Sequence, residues 1–582
     1  MSDIPRRNDL ASRLEYLERM VNELTRRQSA TVAASGYVVN VRNLGAVGDG
    51  VTDDNAAFTA AMEQICDAGG GTIYVPPGTY IINDVVRLCS NLTIMGDGAT
   101  ITKTVWSPYS VFVALSNGQT GYGSSVQNVH VTGLRFLGDF ANNASLCGFA
   151  LHHAADVTIE RCTFEQAQGT GHCIDMCGCE NITVRDCDFL GFNNHLTGGF
   201  NRAEAIEVDV SHAGAVSYPD TPGSYDFLLT RNVTVDNCKF LPITVNAVTY
   251  PCPNPLGAHG AVEGRAYTGI RFINNHVVDP NEDIPPSSGD NAWLVGVVHF
   301  PTVQGLWVED NTFIQTVPRS GRVISVVSMS NGVLSSADPD STSPASGPWA
   351  TPVKSTNINI NRNRFIGFKP PATTGVGHPT IFVRGVDSGW CEYVHIDGNT
   401  LAEGYQATGA LGGRAVFLQK ITRVEVRGNS LFSYRYGIDV NVADTVAVVG
   451  NVIDQMYDWP VVFTGTSSGT ITGNAFRRLR KPVQAQSDCT DVSVVGNTFA
   501  LPQITGVDAA GIVMSGNSRY VVSGNVMSNS TGTQPRGIAV GAGTGGIVIG
   551  NVAIGYTTSV TPAAVPAGCM YSTNNPTPVG PP

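Results

Sequence analysis

Thirteen short segments of this chain share one signature, and their spacing limits the fold more than any other feature does. Each is an alternating apolar stretch, then a turn, then Asn or Cys, then an apolar residue: VTIERCTF at 157–164, VHIDGNTL at 394–401 and VSVVGNTF at 492–499 are examples. The Asn or Cys falls at 162, 187, 238, 275, 311, 363, 399, 429, 451, 474, 497, 525 and 551. The steps are 25, 51, 37, 36, 52, 36, 30, 22, 23, 23, 28 and 26 residues. A unit of 22–28 residues with short strands and no helix signature is one rung of a solenoid, and the longer steps are that unit plus an insertion, or two units. The predicted fold is therefore all-β, a right-handed single-stranded parallel β-helix. A second short strand lies upstream of most signatures, as in HCIDM (172–176), AIEVDV (205–210), AVTY (247–250), WLVGVV (293–298) and TIFVR (380–384). Asn suits the repeated turn because it tolerates left-handed backbone and its amide can bond the same position one rung away. Cys162, Cys187 and Cys238 stand in its place in the early rungs and read as buried thiols.

The composition agrees. Charged residues are 14% and glycines number 65 of 582, which suits strands joined by tight turns. The net charge of −12, with no long Lys/Arg run, excludes the basic stripe that nucleic acid needs. No apolar run reaches the roughly 20 residues of a membrane span, and the N-terminus has no secretory apolar core. The 13 cysteines read as mostly reduced apolar fillers. Leu10, Leu14, Leu17, Val21 and Leu24 form a 4-3-4-3 seam, so a short α-helical coiled coil is expected over residues 10–28. At two and a half heptads it is too short to stand alone, which implies an oligomer that also associates elsewhere. The expected domains are 1–36 (coiled coil and linker), 37–105 (cap and first rungs), 106–555 (β-helix) and 556–582 (a Pro/Gly-rich tail, either an extended cap or strand, or disordered).

The stretch GAVGDGVTDDNAAFTAAMEQICDAGGGTIYVPPGTYII at 45–82 reads as the cap. Thr52 or Asp53 can N-cap a helix over 54–66 with a small apolar face, and the acidic residues suit its dipole. Architecture, not catalysis, accounts for this acidic cluster. On these residues the chain resembles the pectate-lyase-like β-helix superfamily, which includes polygalacturonase-like hydrolases and many bacteriophage tailspikes. The resemblance covers about residues 38–555. It implies a polysaccharide partner, and with the N-terminal helix it resembles a homotrimeric tailspike or minor tail protein located on a virion, acting outside the cell and held to other tail or baseplate proteins. The polygalacturonase motifs are not present as a set: Gly171-His172-Cys173 is not Gly-His-Gly.

Insertions at 211–229, 251–268, 279–292, 330–356 and 366–379 are expected to build a groove, whereas the lean rungs from 429 to 500 face solvent or symmetry mates. Strand parity turns Ile174, Met176, Ile206 and Val208 inward and Asp175, Glu207 and Asp209 outward. Asp175, His299 and Asp439 lie 12 residues before Cys187, Asn311 and Asn451, so they share one outward column. Asp175 and Glu207 would sit on neighbouring rungs, ~4.8 Å apart. Crowded carboxylates push one pKa up, as a general acid requires, and glycoside hydrolysis uses such a pair. The catalytic candidates are Glu207, Asp175 and Asp209, with an exposed acidic patch as the plainer reading. His172, His299, Trp293, Arg384 and Asp226 are candidate substrate-binding residues. No metal site and no cofactor is expected. The expected activity is binding and hydrolysis of surface polysaccharide; the alternatives are a glycan-binding adhesin without activity and a polysaccharide lyase.

Overall fold

A computed structural model describes residues 36–571 except 106, 143–145, 169–171, 194–203, 259, 282–295, 319–321, 371–377, 406–412, 501–509, 529–533, 542 and 563–569. The heptad seam at 10–28 and Trp293 lie outside the described residues. Within them the chain winds as a parallel β-helix. Each of the strands carrying the repeat pairs in parallel with its counterpart one turn away, for example Ala155–Glu160 with Glu180–Arg185 and then Arg231–Asp236. Three faces recur per turn. The first holds the strand before the Asn/Cys, the second the strand after it, and the third the upstream strand. The third face runs through Cys147–His152, Ile174–Cys177, Glu204–Asp209, Asn254–Gly257, Val298–Pro301 and Ile324–Val327.

The 51-residue step is one turn with an insertion, since Glu180–Arg185 pairs directly with Arg231–Asp236. The 52-residue step is the same case: Val303–Glu309 pairs directly with Thr356–Asn361. Two upstream strands differ from the expectation. Val248–Tyr250 pairs antiparallel with Ile243–Val245 in an inserted hairpin, and the strand of the rung is Asn254–Gly257. The next third-face strand begins at Val298, at the very end of WLVGVV.

The interior is a column of aliphatic and aromatic side chains. Phe136, Phe164, Phe189 and Phe240 stack with ring centroids 5.0, 4.9 and 4.7 Å apart, the spacing that successive strands impose. Beside them runs the asparagine ladder. Asn429 donates its backbone N–H and its side-chain Nδ2 to Asn451 Oδ1 at 2.9 and 3.0 Å, and Nδ2 also donates to the Ile396 carbonyl at 2.7 Å. The same pattern joins 275, 311, 363, 399, 429, 451, 474, 497, 525 and 551. Every amide is buried and its hydrogen bonds are met. The left-handed residue is not the ladder Asn but the one before it: Asn274, Asp310, Arg362, then Gly398 and Gly428. Glycine takes over there because positive φ strains any Cβ.

Helix Asn55–Asp67 closes the N-terminal end, burying Ala57, Phe58, Ala61, Met62 and Ile65. Asp54 occupies its N-cap position without a side-chain cap bond. Instead Asp54 accepts from the backbone of Val47 and Gly48, and Asp53 accepts from Asn55 N–H at 3.0 Å. The acidic cluster is thus bonded into the cap. Cys66 and Cys89 are joined by a disulfide, an exception to the reading of the cysteines as mostly reduced; Cys162, Cys187 and Cys238 are free and buried. The final turn extends past 555, where Tyr556–Pro562 pairs with Gln534–Val540.

Candidate functional site

On the third face, strand pairing aligns Ala150, Asp175, Glu207, Gly257, His299, Ser325, Phe382, Phe417 and Asp439 in one column. Its neighbours along the strands, Ile174, Met176, Ile206 and Val208, fill the interior. The column therefore lies on the outer side, and Asp175 is directly paired with Glu207. Exposure is where expectation and structure part. Asp175, Glu207 and Asp209 are each 1% exposed, because the insertion at 211–229 folds over them. Ser217 N–H donates to Asp175 Oδ2 at 2.6 Å, and the Cys177 thiol donates to Oδ1 at 3.3 Å. Strand parity identifies the side of a sheet but not what a distant loop lays across it.

Two histidines complete the cluster. His172 Nδ1 donates to the Glu204 carbonyl at 2.8 Å, while Nε2 pairs with the Glu207 carboxylate. His299 Nδ1 donates to the Gly296 carbonyl at 2.7 Å, and its Nε2 lies 2.9 Å from a Glu204 oxygen. Gly257 sits between Glu207 and His299 in the column. A Cβ there would come within 2.8 Å of Glu204 Cγ and closer still to the His299 ring, so only glycine lets His299 lean back onto Glu204. Burial pulls the His172 pKa down, but the carboxylates of Glu207 and Glu204 outweigh it and raise it to about 10. Burial, reinforced by the Glu207 charge, pushes Asp175 up to about 6.

A second cluster pins the loops. His152 lies between Asp220 (Nδ1 to Oδ2, 2.7 Å) and Ser211 (Nε2 to Oγ, 2.8 Å). His153 lies between Ser116 (Nδ1 to Oγ, 3.1 Å) and Asp226 (Nε2 to Oδ1, 3.0 Å). The two imidazoles stack at 4.2 Å. Burial holds His152 below its ordinary value. Burial also opposes ionisation of Asp220, but the bonds from His152 and from the Ser116 backbone prevail and hold its pKa well down. Both Ser hydroxyls are buried, so this serine–histidine–aspartate geometry anchors loops and faces no entry path. Asp226 thus belongs to this anchor, not beside Glu207. Arg384 ends a third-face strand two rungs beyond His299, half-buried. Glu204, His152 and His153 were not singled out from the sequence. The His-His pair ending a third-face strand was the one signal available.

Asp209 connects the buried cluster to open space. Its Oδ1 accepts from Val210 N–H at 2.7 Å and lies 3.3 Å from the Tyr267 hydroxyl, which donates to the Gly260 carbonyl at 2.7 Å. It also forms part of the floor of a cleft of about 630 Å³. The walls are His212, Gly214, Ala215, Gly260, Ala261, Met329, Asn331, Gly332, Val333, Ser346, Gly347 and Pro348. The insertions at 211–229 and 330–356 clasp one another there: Ala213 N–H donates to the Pro339 carbonyl at 3.0 Å and Gly223 N–H to Asp340 at 2.8 Å. An antiparallel hairpin, Asn331–Val333 with Ser346–Pro348, forms the outer wall. Among the described residues, His395, Asp397 and Glu425 cluster on the first face, but Arg427 already pairs with both carboxylates.

Comparison with known proteins follows this geometry. Residues 38–240 match a model described as rhamnogalacturonase A/epimerase, pectate lyase-like, and 379–554 match one described as right-handed β-helix region. Mannuronan C5-epimerase AlgE1 of Azotobacter vinelandii is 28% identical over 266 residues, 41% of this chain and 18% of the epimerase. Plasmin and fibronectin-binding protein A of Streptococcus pneumoniae is 30% identical over 268 residues, 41% of this chain and 36% of that protein. The chain thus spans well under half the length of these relatives. The solved structure of the S. pneumoniae surface protein and adhesin PfbA superposes with a TM-score of 0.55 at 20% identity, covering 71% of this chain and 97% of that one, and shares the fold. The chain is thus a parallel β-helix whose residues 38–240 are similar to pectate-lyase-like proteins and whose residues 379–554 are similar to right-handed β-helix regions.

Proposed function

We propose that this protein binds an extracellular polysaccharide in the cleft beside Asp209. The carrying observation is the cleft itself. It is a glycine-lined depression, walled by two clasped insertions and floored by a buried carboxylate. Sugar hydroxyls need acceptors and donors fixed in advance, and Asp209, His212 and Asn331 offer them on a rigid scaffold. The names of its relatives, a mannuronan epimerase and a plasmin- and fibronectin-binding protein, fit a surface role. The resemblance to tailspikes and the heptad seam support a homotrimer displayed on a virion.

A catalytic reading is favoured by one feature, the raised Asp175 beside Glu207. A carboxylic acid near neutrality is the general acid that glycoside hydrolysis uses. It would act only once the 211–229 loop lifts from Asp175. The test is direct. Binding to a panel of bacterial capsular and wall polysaccharides is measured by calorimetry, with reducing ends assayed in the same samples. Asp209→Asn is expected to weaken binding by about tenfold, the loss of one charge-assisted contact. No binding to any glycan of the panel, or unchanged affinity in Asp209→Asn, overturns the cleft. Product formation that Asp175→Asn abolishes establishes hydrolysis.

A further inference from the structure

We infer that the corner between the second and third faces that carries Arg414, Arg435, Trp459, Arg477, Arg480 and Lys481 is a separate docking site for an acidic polysaccharide. The inference stands apart from the cleft, which lies on the rungs near Asp209. On consecutive turns, Arg414 and Tyr436 at the starts of strands and Trp459 and Lys481 just before the next ones form a stack. The Arg414 guanidinium lies 4.8 Å from the centre of the Tyr436 ring, Tyr436 and Trp459 stack at 5.5 Å, and Lys481 Nζ lies 3.6 Å over Trp459. Arg435 also covers Tyr436, at 5.3 Å. Rings set one turn apart, ~4.8 Å, hold these cations at fixed points along the axis.

The charge is out of proportion to the molecule. Arg414, Arg435, Arg477, Arg478, Arg480 and Lys481 gather here around three bonded acids among the described residues: Arg414 pairs with Asp439, Arg435 and Lys481 with Asp458, and Arg478 with Asp454. That leaves six positive against three negative charges in a chain whose net charge is −12. Arg477 and Arg480 project into solvent. Carboxylates that pair with a cation also fix it, so the row is ordered before a ligand arrives. A repeating anion along a stiff polymer matches a repeating cation along a stiff solenoid; a neutral glycan would gain nothing from it. The common chemistry is the polyanion, whether its charge comes from carboxylate or sulfate.

Affinity electrophoresis of the full chain tests this, in gels holding polygalacturonate, dextran sulfate or neutral dextran. Retardation is expected in polygalacturonate, dextran sulfate or both, identifying the charge carrier, and not in dextran. It should weaken by roughly tenfold in apparent affinity as ionic strength rises across the physiological range. The double variant Arg477→Glu, Arg480→Glu changes exposed residues only and should abolish the retardation. Lys239→Glu, the same kind of charge change at an exposed residue on a distant rung, should leave it unchanged, and calorimetric binding of a neutral polysaccharide in the cleft should be the same in the double variant as in wild type, so the two sites fail or succeed separately. Equal retardation of the double variant, equal retardation in neutral dextran, or tighter capture of single-stranded DNA than of either polyanion overturns the proposal.

Discussion

His172 and Asn429 show two ways in which single side chains hold this fold. His172 has its pKa raised to about 10 from an ordinary 6.5 because Glu207 and Glu204 surround it. A raised histidine stabilises the folded state fully below 6.5, and that contribution is lost as pH rises through about 10. The denaturant midpoint of the wild type should therefore fall between pH 8 and about 10, and His172→Gln should flatten that limb while lowering stability at neutral pH. Asp175 acts in the same direction over a lower pH range. Its pKa of about 6 makes folding take up a proton, so its effect weakens stability as pH rises from 3.8 to about 6. Asn429 contributes by satisfying its neighbours: it accepts two bonds from Asn399 and donates two to Asn451. Asn429→Ala leaves the buried backbone N–H and Nδ2 of Asn399 without their acceptor and takes the Nδ2 donor from the Ile396 carbonyl, while the backbone N–H of residue 429 still reaches Asn451, and should cost about 3 kcal/mol in urea unfolding. Asn117→Ala, on a loop away from the ladder, should cost far less.

Among the elements, the 211–229 insertion is the one whose state decides access. It is held by Asp220 to the backbone of Ser116 and Asn117 and to His152. His152 resists protonation when folded, so stability declines as pH falls below 6.5, and the Asp220 contribution is lost as pH falls further below 3.8. Limited proteolysis should therefore cut within 211–229 faster at pH 5 than at pH 7.5. In Asp220→Asn that cutting should already be about tenfold faster at pH 7.5, with the far-UV signal of the β-helix retained. Equal rates at both pH values would show that the loop is anchored elsewhere. The elements also show what sequence could and could not reveal. The rungs were legible because ladder asparagines recur at 22–28-residue steps and inward aliphatics alternate, both local properties. The burial of Asp175 and Glu207 was not, because Ser217 reaches Asp175 from 42 positions away. The hairpin at 243–250 mimicked a rung strand because alternation alone carries no direction. The Cys66–Cys89 pair, 23 residues apart, met because the cap helix lies across the strands that follow it.

For the whole molecule, the seam at 10–24 predicts assembly. Light scattering on the full chain should give three times the monomer mass, and removal of residues 1–36 should weaken the trimer; a monomer of the full chain at micromolar concentration would refute it. Trimerisation would set three clefts and three basic corners around one axis, multiplying weak glycan contacts by effective concentration. The self-templating amide column has one more implication. Because each Asn hands the same bonds to its successor, excising residues 452–474 would bring Asn451 against Asn497 with the chain of bonds unbroken. The rod would lose one storey, ~4.8 Å of height, while the clasped loops near Asp209 kept their places. Reach is thus a quantity such a lineage can lengthen or trim by whole storeys without rebuilding what it grips.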